Sequence, residues 1–269
     1  MPNFLVGFFG SNFYWMFKSG LRWACLVLAL LLVYSHFAKE NYRGVDYIRA
    51  ESLQNPAQFP VTDKGKISFT GRGYAYEMEP LYEYQLTGLI VSKISYGFSP
   101  EKLDQTFPLD LCMIWGDNLS PQVYRNPDLA FKQDMRFCFY NYSDTSIKIN
   151  AKQLANNHLL SPNKAVLQKM KAASVGDQVV IYGKLVNLTA KKTDANTDIF
   201  NPDQMVWKSS TNRDDNGAGA CEVIYVDEFK ILEHGHPMLK AVHYHSSRAL
   251  IGIGMLFVGI FILRTLIGA

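Results

Sequence analysis

"VGDQVVIYGKLVNL", residues 175–188, decides how the chain is read. A Gly-Asp turn hands over to Val179, Val180, Ile181 and Tyr182, β-branched and aromatic residues that suit a pleated, half-buried surface. Gly183 then interrupts the run before Leu185 and Val186 resume it. A glycine inside a strand has no side chain to pack, so it marks a bulge or a sharp coil at a barrel corner, which a small closed sheet needs. The same phrase recurs in "LTGLIVS", 86–92, where Gly88 precedes Leu89, Ile90 and Val91. Two strands that each need a glycine in mid-run point to a small, strongly coiled sheet.

Outward from that stretch, the elements fall in a definite order. "YQLTGLIVS" (84–92), "LDLCMIW" (109–115) and "RFCFY" (136–140) read as short strands. "SPNKAVLQKMKAASVGD" (161–177) reads as one helix, with Ser161 as N-cap, Pro162 in the first turn, Val166 and Met170 one turn apart and Gly176 at its end. "QVVIYGKLVNL" (178–188) and "CEVIYVDEFKIL" (221–232) complete a β-β-β-α-β-β order. That order, over residues 84–232, resembles an OB-fold. The resemblance implies a mainly β domain built as a small OB-like barrel with one helix. It also implies a binding rim made by the face of strands two and three and the loops after strands one and four. Those loops are 93–108 and 189–220, and the second is far longer than an ordinary connection. Residues 44–83 read as a linker and irregular lead-in, punctuated by "NPAQFPVTDKGK" and "TGRGY". The alternating Tyr74, Tyr76, Tyr82 and Tyr84 fit one face of a strand.

Hydrophobicity is concentrated at the two ends of the sequence. No charged residue occurs from Trp23 to Ala38, nor from Ala249 to Leu263. Residues 23–38 and 249–269 therefore read as two transmembrane helices, each near the ~20 residues a span needs. Residues 1–22 form an interfacial segment with Phe13, Tyr14, Trp15 and Phe17 as an aromatic belt. Neither run carries the polar stripe of a helix packed on a soluble core. A cleavable signal peptide is the alternative for the first run, with "VYS" before His36 as its cleavage site. The net charge of +3 comes from the flanks of these runs, and the region between them is close to neutral. Such a region has no electrostatic footprint for nucleic acid, so the expected partners are the membrane and a protein. Lys18 and Arg22 place the termini in the cytoplasm, whereas Lys39, Arg43, Lys240 and Arg248 argue the other way. The reading adopted puts the β domain on the non-cytoplasmic side.

Four groups of residues are candidates for chemistry. "SSTNRDDNGAGACEVIYV" (209–226) gathers Arg213, Asp214, Asp215, Cys221 and Glu222 at the end of the long loop, a binding rim. Its adjacent aspartates lack the spaced ligands of a calcium loop. They fit a turn whose Asp and Asn side chains bond their own backbone, with Arg213 pairing one carboxylate. Cys221 with His158 is the barest outline of a nucleophile and base. His234, His236, His243 and His245 (segment 233–248) crowd the edge of the second run, as membrane-boundary residues or as metal ligands. Cys112 and Cys138 lie in strand-like runs, where they pair across a sheet or serve as small buried hydrophobes. No phosphate loop or dinucleotide fingerprint is present, and no cofactor is expected. The expectation is a double-anchored, non-enzymatic membrane protein whose β domain binds a protein partner or envelope component as a subunit or scaffold. The alternative is a membrane-bound hydrolase or metal-dependent enzyme using Cys221 or the juxtamembrane histidines.

Overall fold

The computed structural model describes residues 2–71, 73–96, 107–134, 136–193, 203–214 and 220–267. In chain order its elements begin with α1 (Pro2–Ala38), β1 (Ala57–Pro60), β2 (Ile67–Gly71), β3 (Tyr74–Ser95), β4 (Leu109–Ile114) and α2 (Pro121–Tyr124). There follow β5 (Ala130–Asp134), β6 (Phe137–Asn141), β7 (Leu154–Leu160) and α3 (Lys164–Ala172). The last are β8 (Gln178–Lys192), β9 (Gln204–Trp207), β10 (Glu222–Glu233) and α4 (Pro237–Ile267). The chain divides into two compact units, residues 1–39 with 236–269, and residues 40–235.

The first unit is a helix pair. Two stretches, Ser19–Ala38 and Pro237–Leu263, are long and apolar enough to cross a membrane, and only 6% of each is buried within the protein. A helix that is apolar all round yet uncovered needs an apolar surrounding. α1 and α4 meet where small side chains let their backbones approach, at buried Ser35 and Ser246. Ser35 Oγ lies 3.4 Å from His243 Nδ1, and the His36 and His243 rings are 5.6 Å apart. The end of α1 thus faces the start of α4, and the two run antiparallel. The sequence reading set 233–248 apart from the span 249–269, but α4 runs through both. Pro237 opens this continuous helix, because proline's missing N–H costs nothing at the first helical position.

The second unit is mainly β. Its eight-stranded sheet has the order β1-β3-β4-β7-β10-β8-β9, with β2 on β3 and a further β3–β8 pairing. Five strands therefore pair in a circuit, β3–β4–β7–β10–β8 and back to β3. All of these pairs are antiparallel except β7–β10. The supposed lead-in 44–83 is a correction to the sequence reading, since it supplies β1, β2 and the first half of β3. The third strand of the sheet is also not "RFCFY". That segment is β6, half of a separate β5–β6 hairpin, and the sheet strand is β7. The 189–220 loop is interrupted by β9, which pairs with the end of β8.

The main core is lined by Leu86, Leu111, Met113, Ile181, Ile224 and Phe229, and α3 packs Val166 and Met170 against it. The helix is capped by Asn163, not Ser161: Asn163 Oδ1 accepts from the N–H groups of Ala165 and Val166. A second core, with Tyr74, Tyr76, Met78, Leu188 and Val223, lies where β2 and β9 extend the long β3–β8 ladder. β4 is buried along its entire length. Its outward residues Cys112 and Ile114 pack with Tyr42, Val45 and Tyr124 under the hairpin. The Cys112 and Cys138 sulfurs are bonded, with 5.7 Å between their Cα atoms, and tie β6 to β4.

The two strand glycines are explained by close approach of backbone. A Cβ on Gly88 would stand 2.7 Å from the Ile114 carbonyl oxygen, and one on Gly183 only 2.1 Å from that of Tyr225. Gly183 pairs with Val226, next to the register shift between Val226 and Glu228. Gly183→Ala must therefore push β8 and β10 apart, at a cost of about 1–3 kcal/mol. The expected result is a lower melting temperature for the full chain in detergent, with Gly71→Ala, where a methyl meets only ordinary contacts, as the neutral control.

Candidate functional site

Alternation along β4 sends Leu109, Leu111 and Met113 into the main core and leaves Asp110 on the opposite face. Antiparallel pairing sets Asp110 directly across from His158 on β7. His158 Nδ1 lies 2.9 Å from Asp110 Oδ1, and both side chains are buried. Tyr96, just past β3, donates its hydroxyl to Asp110 Oδ2 at 2.9 Å. Phe107 stacks on the His158 ring at 5.1 Å, and Trp207 from β9 leans on it at 5.3 Å.

Arg136 closes this group from the turn between β5 and β6. Its guanidinium carbon stands 4.6 Å from the Trp207 ring centre, 5.1 Å from Tyr96 and 5.3 Å from Phe107. A guanidinium over an aromatic face is attracted by the ring quadrupole, most strongly where water is excluded. The backbone of Arg136 has φ 68°, the only positive value outside glycine among the described residues. Its carbonyl accepts from Asn156 Nδ2 at 2.6 Å and from Cys221 Sγ at 3.6 Å. Gln133 Nε2 donates to Asn156 Oδ1 at 2.5 Å from the same hairpin.

The rim read from the sequence lies at the start of β10. Glu222 is 1% exposed and its Oε1 is ion-paired with Arg213 Nη2, which also donates to Ser210 Oγ at 3.1 Å. Asn212 Oδ1 accepts from the Asp214 N–H, the self-bonded turn expected of this loop, while Asp214 pairs with Lys152. Asp215 lies outside the described residues, as does most of the 93–108 loop. Arg213 and Cys221, with Phe137, Phe139, Tyr140 and Asn156, line a cleft of about 270 Å³ beside the hairpin. Phe139 and Tyr140 remain 48% and 37% exposed at its edge. Tyr84 is buried, and its phenol pKa is pushed up by that burial and drawn back in part by the positive charge of Arg213.

His234 Nδ1 lies 3.4 Å from buried Asp177, which also accepts the Gly235 N–H. His243 meets Ser35 and His36, and His245 stands edge-on to Tyr244. Among the described residues no three His, Cys, Asp or Glu side chains are placed to hold a metal ion. Asn-x-Ser/Thr triplets begin at Asn118, Asn141 and Asn187; Asn118 is buried and gives its amide to the carbonyls of Asn150 and Gln153. The sequence missed Tyr96, Asp110, Arg136 and Trp207 as one group. An aspartate inside the apolar run "LDLCMIW" was the available signal.

Two substitutions separate what these groups do. Asp110→Ala leaves His158 and the Tyr96 hydroxyl facing a hole, and breaking a buried pair from one side costs about 3–5 kcal/mol. For a unit of this size the melting temperature should fall by roughly 10 °C. Tyr84→Phe should cost nothing at neutral pH, because the Tyr84 hydroxyl has no hydrogen-bond partner among the described residues. The raised phenol pKa favours the fold fully below the ordinary value of about 10, and that contribution is lost as pH climbs from there toward the folded value. Stability measured against alkaline pH should therefore fall less steeply in Tyr84→Phe than in the wild type.

A search with protein-family models, with curated proteins and with solved structures finds no match to this chain.

Proposed function

We propose that residues 40–235 form an OB-like barrel, anchored by two membrane-spanning helices on the non-cytoplasmic side, that binds a protein partner or envelope component at the bilayer. Its role is that of a subunit or scaffold. The strand circuit supports the barrel reading. If β3, β4, β7, β8 and β10 are counted as strands one to five, the first pairs with the second and fourth, and the third with the second and fifth. The one parallel pair joins the third and fifth, and α3 lies between the third and fourth. The face of strands two and three, which such barrels use for ligands, is covered here by the β5–β6 hairpin. Binding then falls to the rim.

The observation that carries this reading is the cleft itself. Exposed Phe139 and Tyr140 stand beside a partly buried arginine, and aromatics with arginine are the residues enriched in protein contact surfaces. The Cys112–Cys138 disulfide supports an oxidising compartment, since such bonds are rare in the cytosol. An antiparallel helix pair gives both anchors the same sidedness for the domain between them. A non-catalytic role is supported by the state of the chemical groups. Asp110 and His158 are turned toward each other under cover, and Glu222 is taken up by Arg213.

A photo-crosslinking residue at position 139, in native membranes, should capture a discrete protein that the same residue at exposed Phe59 does not. Identical products from both positions, or none from 139, would sink the partner reading. Sidedness is tested separately in a Cys25→Ser background, where an impermeant maleimide should label Cys221 in intact cells.

A further inference from the structure

The arrangement around Arg136 is that of a cation in a box. Three aromatic rings, Tyr96, Phe107 and Trp207, surround its guanidinium at 5.1, 5.3 and 4.6 Å. Behind the rings lies a buried carboxylate, since Tyr96 is hydrogen-bonded to Asp110 and Phe107 and Trp207 both pack on His158. The rings accept the flat faces of a delocalised cation, and a guanidinium stacks on them better than a strongly hydrated ammonium does. We propose that this box is a guanidinium-binding site, filled here by the protein's own Arg136, which an arginine side chain of a partner protein takes when the hairpin lifts.

Three features of the hairpin support its release. β5 and β6 pair only with each other and not with the eight-stranded sheet, so lifting them breaks no ladder of the main sheet. The 270 Å³ cleft runs between β6 and the start of β7, so that side of the hairpin is not packed shut. Arg136 holds a left-handed backbone that a side chain rarely adopts, which the protein escapes when the turn opens. Lifting the hairpin gives up, among other contacts, the bonds between Asn156 and the hairpin, the Cys221 contact, the ring contacts and the packing of Phe131 on Tyr42. The Cys112–Cys138 bond stays as a tether at the neighbouring position on β6.

The proposal rests on the partner reading only for the source of the arginine. Its test uses methylguanidinium, so it fails or succeeds whether or not a partner is captured. Arg136→Gly empties the box and at the same time removes the left-handed strain, which favours a folded variant. In the full chain in detergent, methylguanidinium should change the tryptophan fluorescence of Arg136→Gly saturably, with half-saturation at roughly millimolar concentration. It should also raise the melting temperature of that variant. The oxidised wild type should show neither effect, and methylammonium should bind Arg136→Gly at least tenfold more weakly. Trp207→Phe in the same background should abolish the fluorescence response, and Asp110→Asn should weaken binding. A non-saturable response equal to that of the wild type overturns the site, and equal saturation in the wild type overturns Arg136 as its occupant. If Arg136→Gly does not fold alone, methylguanidinium-dependent recovery of its folded signal supports the site and failure to recover overturns it.

Discussion

Asp110 and His158 face each other on the side of β4 and β7 away from the main core, and burying that pair governs much of the domain's construction. Taking a carboxylate and an imidazole out of water costs several kcal/mol for each ionised group unless attraction and hydrogen bonds offset it. Left uncovered, the same face would also expose Cys112, Ile114 and Leu160, so it must be covered for apolar reasons as well. The chain answers with parts from distant places in the sequence. Tyr96 satisfies the second carboxylate oxygen, the β5–β6 hairpin lies over the face, and β9 brings Trp207 to the imidazole. The disulfide then fixes the hairpin to β4. In a five-strand circuit with both faces of two strands buried, the additional strands β1, β2 and β9 act as cover for the circuit.

The division between the two units follows from where water can be excluded. Residues 40–235 have enough alternating strands to bury their apolar side chains against each other. α1 and α4 do not, and their exposed faces carry Leu30, Phe37, Met255 and Phe261. Only a surrounding that is itself apolar removes that surface from water at the usual ~25 cal/mol per Å². Three polar groups of the pair, Ser35, His36 and His243, meet each other near one end of the helices. Polar groups on an otherwise apolar helix are tolerated where another helix supplies the partner.

What was legible in the sequence depended on which residues report locally. Gly88 and Gly183 announced themselves as breaks in β-branched runs, read as bulges or sharp coils, and the structure shows the reason to be a carbonyl oxygen lying against each. The helix around Val166 and Met170 carried its own spacing. β7 did not read as a strand, because "ANNHLL" buries Asn156, Asn157 and His158, whose polarity imitates a loop. Each has a partner that only the fold supplies: Asn156 bonds the hairpin, Asn157 donates to the Leu111 carbonyl and His158 meets Asp110. "RFCFY" misled for the opposite reason. Its aromatics look like core, yet Phe139 and Tyr140 stay exposed on the hairpin. Of the rim, the Arg213 to carboxylate pairing was legible as chemistry, but its partner Glu222 is set by burial, which leaves that carboxylate without water.

Arg136 combines the two kinds of information. In the sequence it opens the strand-like run "RFCFY", and nothing there marks a turn. In the fold it has a left-handed backbone, worth roughly 1–3 kcal/mol of strain. Against this stand three ring contacts, each worth about 0.5–2 kcal/mol depending on how dry the site is. The hairpin is held as well by the Asn156 bonds and the Cys112–Cys138 disulfide, so the strain is carried at the turn while the rest of the hairpin keeps it closed. A glycine at this turn would remove the strain but leave the rings without a cation, and an arginine on a relaxed turn would not reach them. The side chain that closes the box is therefore held at the cost of the backbone that carries it.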